Sequence, residues 1–93
     1  MGELKMGPGK IEALQTEIYM QSDLITKVEV SYFNNRNVIY INHKPSDRKH
    51  SSYYHCVHVS RDGLMVNSNG HHHLDVHNAM NKAVKVARNY LDI

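Results

Sequence analysis

The chain has 93 residues and a mass of 10.7 kDa, enough for one small domain and too short for two. Hydrophobic residues make up 41% and charged residues 22%, the proportions of a globular domain rather than of a disordered chain or a coiled coil. No apolar run nears the roughly 20 residues of a membrane span, no secretory-signal pattern stands near Met1, and the single cysteine, Cys56, excludes an intrachain disulfide, so a reducing, cytoplasmic setting is expected.

Residues 1–7 hold Gly2 and Gly7 and read as a flexible lead-in, with a short extended piece at 4–6. Pro8 suits the first turn of a helix, where its missing N–H is no loss. Ile11, Leu14 and Ile18 then recur on one face, and Glu12 suits the N-terminal dipole, which predicts a helix over 8–21 ended by Ser22 and Asp23. The period next drops from 3.6 to 2. Over 25–33, Val28, Val30 and Tyr32 share one face of a strand while Lys27, Glu29 and Ser31 take the other. Asn34-Asn35-Arg36-Asn37 reads as a turn, because Asn tolerates left-handed backbone and bonds locally. Residues 38–42 form the returning strand, and 43–52 an exposed loop around Pro45. The third strand covers 53–60, with Tyr53, His55, Val57 and Val59 on one face. Arg61-Asp62-Gly63 signals a hairpin leading to a short fourth strand at 64–67.

The last element is the clearest. Val76, Ala79, Met80, Ala83, Val84, Ala87, Tyr90 and Leu91 make an apolar stripe at helical spacing, and Asp75 stands where a cap or first-turn acid belongs. A helix over 74–92 follows. The order helix, four-stranded antiparallel meander, helix buries both apolar helix faces most simply on one side of the sheet. The predicted class is therefore an α+β two-layer sandwich in one domain spanning 1–93, with the other sheet face free.

Formal charge is +2, with eleven Lys and Arg against nine Asp and Glu, and eight histidines. Histidine ionises near pH 6.5, so the chain becomes far more positive on mild acidification. Asn78, Lys82, Lys85 and Arg88 step along the side of the last helix opposite its apolar stripe. No acid falls between Lys82 and Arg88 to neutralise them at i, i+4 spacing. The loop adds Lys44, Arg48 and Lys49, and if the two sets lie close together they can engage several phosphates; the same residues also suit an ordinary solvated surface.

Other chemistries have partial support. His73 and His77, at i, i+4, suit a shared metal ion with Asp75, but a zinc site usually carries a second pair, and His55 and His58 on a strand face opposite sides. A metal-independent nuclease needs a general acid and a general base close together, and His55 with Tyr53 supplies one candidate cluster. Cys56, alternating with Val57, reads as a buried structural thiol rather than a nucleophile. Phosphate-loop, nucleophile-elbow and Walker motifs are missing, so neither a catalytic site nor a cofactor is expected. Tyr32, Tyr40, Tyr53 and Tyr54 belong to the sheet, where aromatics either stack on bases or simply pack.

The run Val57-His58-Val59-Ser60-Arg61-Asp62-Gly63, then 64–70, then Asp75-Val76-His77-Asn78-Ala79-Met80-Asn81 resembles the end of the ribosome hibernation-promoting factor family. That family shows a strand, a glycine turn, a strand and a last helix opening Asp-x-Tyr-x-Ala-Ile-Asp, and here His77 stands at the aromatic position. Ile25-Thr26-Lys27-Val28-Glu29-Val30 is similar to the family's second strand. The resemblance spans about half of the chain and implies binding to ribosomal RNA in the small subunit, with translation blocked. The helix–sheet–helix order is also similar to that of double-stranded-RNA-binding domains, whose last helix opens with a lysine cluster; here that position reads His71-His72-His73-Leu74-Asp75.

These readings converge on a small non-catalytic RNA- or ribosome-binding module with a role in translation regulation. Lys44, Arg48, Lys49, Lys82, Lys85 and Arg88 are its expected phosphate contacts, and no membrane is involved. The alternative is a protein-binding inhibitor or adaptor that uses an exposed sheet face or edge, also as a homodimer. A histidine-dependent nuclease or metal protein is the third reading.

Overall fold

The change of period at Ile25 is a change of structure. The computed structural model describes residues 3–44, 55–68 and 74–92. Its elements are α1 (Pro8–Tyr19), β1 (Ile25–Phe33), β2 (Arg36–His43), β3 (His55–Ser60), β4 (Gly63–Ser68) and α2 (Leu74–Tyr90). The four strands form one antiparallel sheet in the order β1-β2-β3-β4. Both helices pack on the same face of it, giving the α+β sandwich expected. No described helix is long and apolar enough to cross a membrane.

Local chemistry sets each boundary. Pro8 opens α1 directly after Gly7, which caps it without a side chain; Leu14 and Ile18 are fully buried, as their spacing required. Glu12 falls beyond the first turn, which holds no acid. The β1–β2 turn needs only two residues: Asn34 and Asn35 have φ of 51° and 61°, the paired left-handed conformation of a type I′ turn. The sequence cluster is thus longer than the turn, and Arg36 and Asn37 belong to β2. Between β3 and β4, Arg61 and Asp62 make the turn and Gly63 takes φ 145°, a conformation side chains rarely adopt.

A register shift between Ile25 and Lys27 places a bulge in β1, so that Ile25 and Val28, three apart, both point inward. Ile39, Ile41, Val57 and Val59 complete the inner face of the sheet, under Val76, Met80, Ala83 and Ala87 of α2. Each fully buried branched side chain contributes about 1.5–3 kcal/mol. Leu91 closes the core beyond α2, and Asp92 at φ 61° ends it in a left-handed C-terminal turn.

Residues 3–6, within the segment read as a lead-in, are tied to the sheet. The Glu3 N–H donates to Asn35 O and the Tyr32 hydroxyl to Glu3 O. Asn37, 4% exposed, accepts the Met6 N–H at 3.0 Å and donates to Glu3 Oε1 and Leu4 O. Met6 joins the core.

Candidate nucleic-acid interface

From Val76 onward, α2 divides into a buried and an exposed face. At 100° per residue, Val76, Met80, Ala83 and Ala87 fall within one narrow arc facing the sheet. Lys85 lies directly opposite that arc, with Lys82 and Arg88 to either side. Asn78, Asn81 and Asn89 fill the gaps, and all six are exposed. From Val76 to Leu91 the chain has no Asp or Glu. The described ion pairs are Lys27–Glu29 and Arg36–Asp62, so none of the three α2 cations is neutralised by a described carboxylate. The result is a strip of amides and cations rich in hydrogen-bond donors. Lys82 to Arg88 spans about 9 Å along the axis, and Arg88 in the last turn also suits the helix dipole.

The asparagines make this face unusual for a purely structural helix. Asn is a weaker helix former than Ala by roughly 0.5 kcal/mol per site, and at exposed positions no described packing offsets that.

Lys44 is exposed, but it sits at the far end of β2, where its N–H bonds Leu24 O. That end of the sheet lies near the start of α2, since His55 of β3 meets His77 in the early part of the helix. The α2 cations run from mid-helix toward the other end. Arg48 and Lys49 lie outside the described residues, as do His50, Tyr53, Tyr54 and the triplet 71–73. The structure therefore gathers Lys82, Lys85 and Arg88 and sets Lys44 apart from them.

The open face of the sheet carries a different surface. Glu29, Tyr40, His58 and Met65 stand directly opposite one another across all four strands. The Tyr40 and His58 rings meet edge to face at 4.5 Å. With Phe33 and Val38 they line a groove of about 400 Å³, and Phe33 and Met65 are each 64% exposed. Of the tyrosines singled out in the sequence, Tyr40 faces this groove, whereas Tyr32 turns to the helix side. Phe33 and Met65 are surface groups that alternation within their own strands signals, since Tyr32 and Leu64 beside them take the helix side.

The histidines separate by face. His55 and His58 do point to opposite sides. His55 is 6% and His43 3% exposed; the two are cross-strand neighbours on the inner face. His43 Nε2 lies 2.9 Å from Ser22 Oγ and its Nδ1 meets Lys44 O. The His55 ring packs 5.6 Å from that of His77. His55 is thus buried on the inner face of the sheet, and Tyr53, its companion in the nuclease reading, lies outside the described residues. Among the described residues no group of three or more His, Cys, Asp or Glu is placed to hold a metal ion. Cys56 is half-buried on the open face rather than sealed in the core. Desolvation raises its thiol pKa, partly offset by the Lys27 charge.

No protein-family model matches the chain, and no curated protein or solved structure is significantly similar to it.

Proposed function

We propose that this protein is a small, non-catalytic RNA-binding module that uses the exposed face of α2, with Lys82, Lys85 and Arg88 on phosphates and Asn78, Asn81 and Asn89 on sugars and base edges. The observation that carries this reading is the acid-free strip of cations and amides opposite the buried face of α2. Arg, Lys and Asn are the side chains that supply phosphate and base-edge contacts, and an unneutralised strip attracts a polyanion by counterion release. Lys44, Arg48 and Lys49 are further candidate phosphate contacts in the sequence, separate from this strip. The family resemblance makes ribosomal RNA the first class to test, with regulation of translation the implied role, and the single thiol suits a reducing cytoplasm.

Fluorescence anisotropy with single- and double-stranded RNA probes, at about 50 and 200 mM salt, tests this directly. Binding that weakens at least tenfold at the higher salt, with the probe intact on a gel, is the expected result. No binding at the lower salt overturns it.

A second reading rests on the open-face groove: Phe33 and Met65, 64% exposed beside Tyr40 and His58, suit an apolar side chain of a protein partner. Such a complex would change little with salt and would be weakened by Tyr40→Ala.

A further inference from the structure

The two edges of the sheet are built differently. β1 is blunted in the ways that discourage pairing: a bulge at Ile25/Lys27, the charges of Lys27 and Glu29, and the tethered residues 3–6 beside its end. Among the described residues, β4 has none of these. Its sequence, Gly-Leu-Met-Val-Asn-Ser, holds no charge and no proline, and all six residues are exposed.

Leu64 and Val66 stand on the helix side, directly opposite Val59 and Val57, which are almost fully buried. Yet they are 46% and 51% exposed, because neither helix packs on β4. Among the described residues, the apolar layer continues one strand further than the helices that cover it.

We infer that β4 pairs antiparallel with β4 of a second copy of this chain, making a continuous eight-stranded sheet across a two-fold axis. That axis stands perpendicular to the sheet, the symmetry that sets two copies of one strand side by side and antiparallel. It keeps all four helices on the same side. Faces are then preserved, so Leu64 meets only helix-side residues of the second copy. The register with Met65 opposite itself pairs Leu64 with Val66 in both directions; a shift of two leaves Leu64 against Ser68.

A copy of itself suits this edge better than RNA, because the strand offers no cation to a phosphate. It also brings no like charges together, as pairing of β1 with itself would risk through Lys27 and Glu29. A six-residue edge falls short of the roughly 800 Å² per partner of a standard interface, so the dimer is weak and depends on concentration.

Sedimentation velocity of the full chain from about 5 to about 500 µM tests this. The expected result is a monomer that converts to dimer as concentration rises. Val66→Lys, on an exposed site, should keep the wild-type circular dichroism and melting curve and weaken association at least tenfold. In a Cys56→Ser background, Met65→Cys should give a disulfide-linked dimer on mild oxidation, since opposed strand positions lie within disulfide reach. A monomer throughout the range overturns the inference, as does a folded Val66→Lys protein that associates like wild type. Neither readout depends on RNA, so failure here is distinct from failure of the RNA-binding reading.

Discussion

In α2, the sheet-facing positions Val76, Met80, Ala83 and Ala87 are apolar and buried, while the opposite positions carry Lys, Arg and Asn. In β4, the element just before it, alternation is present but nothing is buried: Leu64 and Val66 face the helix side, Met65 the open side, and all are exposed. Folding accounts for one half of α2 and for little of β4. Among the described residues, the polar strip of α2 and the apolar β4 are two surfaces that packing does not account for, and they differ in chemistry. The first suits a polyanion, the second a strand.

Stability measurements sharpen this contrast most strongly in the core. Ile41→Ala, at a fully buried position, should cost about 2–5 kcal/mol in urea unfolding. Val66→Ala should cost under about 0.5 kcal/mol at dilute concentration, as at an exposed site. Equal losses would mean that β4 packs as firmly as β2.

Asn37→Ala comes next. It removes the acceptor for Met6 N–H and the donors to Glu3 and Leu4, leaving buried backbone groups unmatched at about 1–3 kcal/mol. Hydrogen exchange should show faster exchange at the Met6 amide, whereas unchanged protection would mean that other contacts hold this segment.

A smaller effect, of opposite sign, is expected on α2. Asn78→Ala, Asn81→Ala and Asn89→Ala should each raise stability by a few tenths of a kcal/mol while weakening RNA binding. A variant more stable and equally good at binding would remove that asparagine from the interface. The smallest effect concerns Cys56. Desolvation holds its thiol above the usual range, so less thiolate is present at a given pH. Iodoacetamide should modify it more slowly at pH 8 than it modifies an unstructured cysteine peptide, and the difference should vanish in denaturant.

Much of this was legible in the sequence because long periodic segments constrain their own geometry. The α2 stripe spans enough turns to define its polar side without a structure, and Arg61-Asp62-Gly63 marked the β3–β4 hairpin. Asn37 was not legible. It follows two asparagines that form a turn, and only the exact length of that turn puts it in β2 and in the interior. The exposure of β4 was hidden for a different reason. Alternation assigns Leu64 and Val66 to one face but says nothing of how far a helix layer extends over it. The separation of Lys44 from the α2 cations likewise follows from the placement of α2 across the sheet, which no local pattern encodes.

The most direct measurement is the salt dependence of RNA binding by wild type and by the triple variant Lys82→Ala, Lys85→Ala, Arg88→Ala. Three lost phosphate contacts should reduce the slope of log K against log salt by about 2 on single-stranded RNA, with the melting temperature unchanged because all three sites are exposed. A folded triple variant with the wild-type slope and affinity would contradict the assignment of α2 as the RNA-binding face.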